Sequence, residues 1–255
     1  MYLSLSQWHI RYQQQAEWTH NIREYIYNQT SLITAQKILD VGCGTGVLEN
    51  ELSSLTSSNI YALDIDSQAI KYAKVNAPHS VYIAGNSSEL PYCSGIFDIT
   101  LCHFLLLWVG DAAQAVNEMA RVTRPKGFVL ALAEPDYGGR IDYPSDLLEL
   151  GKWQTESLVD QGANPFIGRE LRAIFSKAGL VNIEVGIVGG QWGESDSDKD
   201  FDLEWQVIQS DLASNHEFRL QAEILKRKEI LSRHNYERIL FIPTFYAFGM
   251  VKEEV

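Results

Sequence analysis

Long apolar runs are missing from this chain. Nothing approaches the ~18 consecutive apolar residues of a membrane-spanning helix; the longest runs are 104–109 and 128–133. The opening Met1-Tyr2-Leu3-Ser4 lacks the basic-then-apolar order of a signal peptide. Cysteine is scarce: Cys43, Cys93 and Cys102 form no Cys-x-x-Cys pair and leave an odd count. They read as small buried residues rather than ligands, and a reducing cytoplasm is the expected compartment. No other cluster has metal-ligand spacing, so no metal is expected. A nucleophile elbow of the hydrolase kind is absent, as is any internal repeat. Positive charge is short as well: 21 Lys and Arg against 33 Asp and Glu give a net charge of −12. Such a surface repels phosphate backbones, so neither nucleic acid nor membrane is an expected partner. The densest basic cluster, Lys226-Arg227-Lys228, stands near Glu223 and Glu229 and reads as a solvated helix face.

What is present is an ordinary globular composition over 255 residues, 45% hydrophobic and 21% charged. That length suits one large domain. Short apolar strands are predicted at 37–41, 59–63, 80–84, 97–102 and 128–133. Amphipathic helices stand between them: Val47, Leu48, Leu52 and Leu55 point inward in the first, Ala69, Ile70 and Ala73 in the second, and Ala112, Val116, Met119 and Ala120 in a third. Asp66 and Asp111 are expected N-caps. Alternating strands and helices with unbroken apolar strands predict an α/β fold with a parallel sheet covered on both faces.

The flanks are less regular. Residues 1–30 read as cap helices, with Trp8, Tyr12, Thr19, Ile22 and Ile26 on one face and Arg11 and Arg23 off it. Arg124 to Gly127 reads as a turn, and 134–144 as a loop. Helices are expected at 145–160 and 168–178, the latter with Leu171, Ile174, Phe175 and Ala178 inward and Gly179 after its end. A sixth strand is predicted at 181–188. Helical segments at 201–235 break near Ser214-Asn215, and a seventh strand covers 239–251, with Pro243 marking an edge or bulge. The whole reads as a single domain.

Gly42-Cys43-Gly44-Thr45-Gly46 sits between the first strand and its helix. Glycines there let a ligand approach the backbone, and the helix N-terminus offers free N–H groups. Asp64 ends the next strand, where an acid can accept hydrogen bonds from two ribose hydroxyls. The third position of the dinucleotide fingerprint is Val47, which speaks against NAD. Asp40, two residues before the first glycine, would oppose a pyrophosphate but suits a ligand carrying an ammonium and a sulfonium.

The run from Ile38 to Gly46 resembles the first motif of class I S-adenosylmethionine-dependent methyltransferases. The resemblance continues through Ala62-Leu63-Asp64-Ile65-Asp66, Gly85 to Pro91, Phe97-Asp98 and Arg121 to Gly127, and covers residues 37 to about 134. It implies a doubly wound, seven-stranded, mostly parallel sheet with strand seven antiparallel, an N-terminal helix, and a helical lid at 190–235 between strands six and seven. It implies S-adenosyl-L-methionine as cofactor and S-adenosyl-L-homocysteine as product. Gly42, Cys43, Gly44 and Gly46 would line the methionine and ribose portion, with Asp40 near the ammonium. Asp64 would hold the ribose, Ile65 would lie against the adenine, and Asn86 and Ser87 would stand beside its amine, where the family usually has Asp-Ala. Cys102 would offer its carbonyl near the ammonium, with His103 following into the site.

In-line methyl transfer needs positioning, and a base only where the acceptor loses a proton. Substrate-side candidates follow strand five: Glu134, Asp136, Tyr137, Arg140, Asp142 and Tyr143. Tyr137 or His103 is expected to orient or deprotonate the acceptor, and Arg140 to pair an acidic group on it, unless Arg140 bridges Asp136 or Asp142. Tyr12, Gln15, Trp18, Trp192 and Trp205 could line the pocket. The expected activity is methyl transfer to a small molecule by a monomer or homodimer. A macromolecular (protein or tRNA) methyltransferase and a non-catalytic cofactor-binding partner subunit stay open as alternatives.

Overall fold

The computed structural model describes residues 3–189 and 198–253. Two helices, α1 (Leu5–Trp18) and α2 (His20–Gln29), precede the sheet. Then come β1 (Lys37–Val41), α3 (Val47–Leu55), β2 (Asn59–Asp64), α4 (Ser67–Asn76), β3 (Val81–Ala84), β4 (Phe97–Cys102), α5 (Ala112–Val122) and β5 (Thr123–Pro135). The remainder is β6 (Ile141–Tyr143), α6 (Leu148–Asp160), α7 (Leu171–Lys177), β7 (Val181–Val188), α8 (Asp198–Asp211), α9 (His216–His234), β8 (Ile239–Phe241) and β9 (Thr244–Met250). The main sheet has seven strands in the order β3-β2-β1-β4-β5-β9-β7. The pairs from β3 to β5 are parallel, and β9 runs antiparallel to both β5 and β7. This is the expected doubly wound fold, with the last strand reversed.

Successive strand residues face opposite sides. Ile38, Ile60, Ile99 and Leu130 pack toward α2 and α3, while Leu39, Leu63, Cys102 and Val129 pack toward α5 and α7. Asp66 caps α4, accepting from the Gln68 N–H at 2.8 Å, and Asp111 caps α5, accepting from the Gln114 N–H at 2.9 Å. Gly179 follows α7 at φ +76°, as a C′ residue should. Helix α3 is rotated from the expected face: Leu48, Glu49 and Leu52 are buried, and Leu55 is exposed. In α5, Val116 and Met119 point inward as expected, joined by Ala115 and Val122.

Arg124–Gly127 makes the expected turn inside β5: the ladder to β4 passes from Thr123 opposite Phe97 straight to Phe128 opposite Ile99, and Lys126 has φ +65°. Two segments differ from expectation. Residues 134–144 contain the end of β5, a short 3-10 turn (Tyr137–Gly139) and β6. The long final strand is two strands. Pro243 has no N–H to give a ladder, and its carbonyl accepts the Asp136 N–H at 2.7 Å. Before it, β8 pairs with β6 in a separate ribbon; after it, β9 enters the main sheet. Helices α6, α8 and α9 share a core of their own, with Trp205, Phe218 and Leu150 buried in it. Trp205 is therefore core and not pocket lining. Part of the 190–235 segment, including Trp192, lies outside the described residues.

Candidate functional site

The glycine turn is shaped by its backbone. Gly42, Gly44 and Gly46 all have positive φ (+82°, +52°, +84°). A Cβ on Gly42 would lie 2.7 Å from Leu105 Cδ1, and one on Gly44 would lie 3.2 Å from Tyr12 Cε2. The turn is tied to β2: the Gly42 and Cys43 N–H groups donate to Leu63 O at 2.7 and 3.1 Å. Asp64 Oδ2 accepts the Gly44 N–H and Oδ1 the Asp66 N–H, both at 2.8 Å. Ile65 beside it is 76% exposed, an unusual position for isoleucine unless a flat ligand covers it. Asn86 Oδ1 accepts the Ser88 N–H at 2.9 Å, which uses one of its two lone pairs, and Ser87 is buried. Cys43 and Cys102 are buried, and burial pushes both thiols up.

Below the turn two acids are buried together. Asp40 is 2% exposed and Glu49 is 0%. Asp40 Oδ1 and both Glu49 oxygens lack a hydrogen-bond partner, although the two carboxyls are close enough to shift each other's titration. Burial pushes Asp40 up to about 7, against the effect of Glu49, and pushes Glu49 well above the carboxylate range. Two such groups fit a ligand that brings a cation. Nothing in the apolar spacing of α3 singled out Glu49; its place three residues before Leu52 was the available signal.

Helix α1 lies over the turn. His9 Nδ1 is 2.8 Å from Thr45 Oγ1, and the Tyr12 ring rests against Gly44. Burial, with Asp64 and Asp66 nearby, pushes Tyr12 up to about 12, so its hydroxyl stays protonated. At the junction of α1 and α2, Thr19 Oγ1 lies 2.9 Å from His103 Nε2. Arg23 donates to Thr19 Oγ1 and to Ala16 O, both at 2.5 Å, and pairs with Glu51. Arg23 was expected off the apolar face, yet it is 1% exposed because these partners satisfy it. Burial and the Arg23 charge push His103 down to about 3. The imidazole is neutral at physiological pH and already has a partner.

Most of the acids and bases after β5 are engaged in structure. Glu134 accepts the N–H groups of Leu105, Leu106 and Leu107 at 3.0, 2.8 and 3.2 Å, fixing the turn after β4; burial still pushes it up to about 8. Asp136 accepts from Gly138 N–H at 2.9 Å and pairs with Arg169 at 2.5 Å. Arg140 pairs with Asp142 at 2.6 Å and donates to Gln154 at 2.7 Å, so it bridges Asp142 rather than waiting for a ligand. Asp142 also accepts from Arg238 at 2.8 Å. Tyr137 differs: its N–H donates to Pro165 O at 2.8 Å, while its hydroxyl makes no hydrogen bond among the described residues. It borders a small cavity of about 40 Å³, partly open to solvent, with Arg11, Arg140, Gln154, Glu204 and Ile242 also in the wall. Trp18 is 55% exposed, stacks under the Arg11 guanidinium at 4.6 Å, and borders a different depression beside Ile22 and Ile187. Gln15, half-buried on α1, accepts from Thr19 Oγ1 through its carbonyl at 3.0 Å. Among the described residues no three His, Cys, Asp or Glu side chains converge as metal ligands, and no helix is long and apolar enough to cross a membrane.

A glycine turn opening a parallel sheet, with an acid at the tip of β2, defines a doubly wound nucleotide-binding protein. Residues 39–131 match the profile of the family described as methyltransferase domain. A demethylmenaquinone methyltransferase of Bacillus mycoides (strain KBAB4) is 32% identical over 169 residues, covering 58% of this chain and 71% of that protein. A malonyl-acyl-carrier-protein O-methyltransferase of Buchnera aphidicola subsp. Baizongia pistaciae is 33% identical over 93 residues, covering 36% of this chain and 37% of its own. Over three such relatives the chain spans about half or less of their length: 37%, 51% and 45%. The fold is also that of a geranyl diphosphate C-methyltransferase from Streptomyces coelicolor A3(2), at TM-score 0.55, 14% identity and coverage of 85% of this chain and 71% of that one. The chain belongs to the class I S-adenosylmethionine-dependent methyltransferase family.

Proposed function

We propose that the protein moves a methyl group from S-adenosylmethionine to a small-molecule acceptor held under helices α6, α8 and α9, as one domain with residues 1–30 as cap and 190–235 as lid. The observation that carries the reading is the double role of α1: Tyr12 rests on Gly44 of the turn, and the preceding Arg11 borders the cavity beside Tyr137. One helix thus joins the cofactor turn to a candidate acceptor chamber. The names of the two relatives, both acting on small or carrier-bound acids and quinones, point the same way.

The cofactor supplies an electrophilic methyl on a sulfonium. In this reading the backbone of Gly42, Cys43, Gly44 and Gly46 cradles its amino-acid and ribose part, and Asp40 faces the ammonium. Asp64 takes the ribose hydroxyls, Ile65 the adenine face, and Asn86 and Ser87 the adenine edge; Cys102 gives its carbonyl on the ammonium side. Tyr137 orients the acceptor with its unpaired hydroxyl, and burial pushes that phenol up despite Arg140 and Arg11, so it donates at neutral pH. His103 holds the α1–α2 junction through Thr19 and contributes a neutral imidazole. Tyr12, Gln15, Trp18 and Trp192 remain candidates for the acceptor side, and Arg11 takes over the anion-pairing role first given to Arg140. In this reading the protein works in the cytoplasm, as a monomer or homodimer, and its three cysteines are free.

Thermal unfolding tests the cofactor. S-adenosylhomocysteine at ~100 times its dissociation constant should add about 2.7 kcal/mol, a rise of roughly 5–10 °C for a chain of this size. A rise with NAD alone would overturn the reading. The acceptor side is tested by turnover with labelled cofactor. Tyr137→Phe should slow transfer to a small acceptor by about a hundredfold; full turnover in both Tyr137→Phe and His103→Ala would remove these two residues from the mechanism. Label appearing only in protein or tRNA fractions would establish the macromolecular alternative.

A further inference from the structure

The pair under the glycine turn is not explained by folding. Glu49 lies in the first turn of α3 and Asp40 near the end of β1, both shut off from solvent. Buried acids ordinarily keep a cation or a full set of donors. Here the groups that face them are Tyr27 from α2, Cys43 from the turn, Asp64 from β2, Tyr82 from β3 and Cys102 from β4. All are acids or neutral, and among the described residues no lysine, arginine or histidine stands among the groups that shift either carboxyl. Three carboxyl oxygens stay without a partner. Two bare negative charges cannot persist side by side in such a place, so protons must occupy the pair.

Resting on the cofactor reading above, we propose that Glu49 is kept as a neutral carboxylic acid that donates its proton to Asp40, and that Asp40 gives up its own proton when the ligand's ammonium arrives. The balance is simple. The acid form of Asp40 plus a protonated amine becomes a carboxylate–ammonium pair plus one proton released to solvent; no bond to carbon changes. Glu49 is thereby a positioning residue. It aims and stabilises the Asp40 carboxylate without touching the ligand as a charge.

The sign follows from the raised titration of Asp40, which lies near 7. Below that pH binding must expel a proton, and affinity rises with pH; above it Asp40 is already ionised, and affinity is flat. Titration calorimetry with S-adenosylhomocysteine, in buffers of different ionisation enthalpy, reads the proton directly. Release should approach about one proton per ligand near pH 5.5 and about none near pH 8.5, with affinity rising about tenfold per pH unit below neutrality. Adenosine, which has no ammonium, should bind with no release. Glu49→Ala should weaken S-adenosylhomocysteine about tenfold, and Glu49→Gln, whose amide still donates, should recover it to within about threefold.

Binding without proton release at pH 5.5 would overturn the proposal. So would equal release with adenosine, which would place the source on the ribose side. Loss of affinity in Glu49→Gln as large as in Glu49→Ala, with the far-ultraviolet dichroism unchanged, would show that Glu49 must be ionised and would likewise overturn it. Should Glu49→Ala fail to fold, the proton count and Glu49→Gln decide alone. No binding of S-adenosylhomocysteine at any pH would be a different result, since it removes the cofactor reading itself.

Discussion

Two groups of buried acids sit in this molecule in opposite electrical states. Among the described residues, no cation acts on Asp40 and Glu49. Asp142 and Glu229, equally buried at 3% and 2% side-chain exposure, are surrounded by arginines: Arg140 and Arg238 on Asp142, Arg238 and Arg233 on Glu229. The second cluster has its charges answered without a ligand, although Glu229 Oε2 keeps no hydrogen-bond partner, and it fastens the β6–β8 ribbon to α9. The first is complete only when something brings positive charge. A carboxylate's presence in a cavity says little about function; whether its charge is already answered says much.

The contrast can be broken most forcefully at Asp142. Asp142→Ala strands two buried arginines, and should cost about 3–5 kcal/mol in chemical denaturation; a loss below ~1 kcal/mol would mean the arginine cluster is not a closed unit. On the cofactor side, Asp64→Ala should cost about 1–3 kcal/mol in folding, through the Gly44 and Asp66 N–H groups left without their acceptor, and weaken S-adenosylhomocysteine by about a hundredfold, the worth of two charged hydrogen bonds. Calorimetry checks this, and unchanged affinity would detach Asp64 from the site. Gly151 gives a sharper test of packing. In the middle of a helix, Gly→Ala usually gains up to ~1 kcal/mol. Here the new Cβ would lie 2.6 Å from Asp142 Oδ2 and 2.7 Å from Arg140 Nε. Gly151→Ala should instead destabilise by about 1–3 kcal/mol, read as a lower melting temperature. The smallest effect is expected at the surface pair of Lys228 with Asp146, 44% and 57% exposed. Lys228→Ala should change stability by less than ~0.5 kcal/mol, which marks how much burial contributes to the other ion pairs.

The parts of the fold that sequence revealed are those where periodicity and backbone agree. Strand β1 and strand β7 fall on the expected residues because each is an apolar or alternating run stopped by glycine. The glycine turn and Asp64 were visible because their spacing is fixed by backbone approach and not by packing. The split at Pro243 was only half legible: proline announced an irregularity, but that β8 would leave for β6 depends on a partner a hundred residues away. The loop after β5 was least legible. Asp136, Tyr137, Arg140 and Asp142 are alike in sequence as polar residues in one loop, and only three-dimensional pairing separates the free phenol of Tyr137 from its occupied neighbours. Glu49 was missed for the converse reason. A charged residue is assigned to the outside of a helix by default, and its burial becomes visible only when the helix is seen against the sheet.

The place of β9 has a consequence for how the chain is made. Strand β7 touches the sheet only through β9, and α8 and α9 lie between them in the sequence. On the ribosome, Val181–Val188 emerge with no ladder to join, and α8 and α9 follow while that edge is still open. Only when Thr244–Met250 arrive does one segment fill the gap between β5 and β7, just after Ile239–Phe241 has paired with β6. The order of synthesis thus leaves the main sheet and the β6–β8 ribbon to be closed together, as the final stitch.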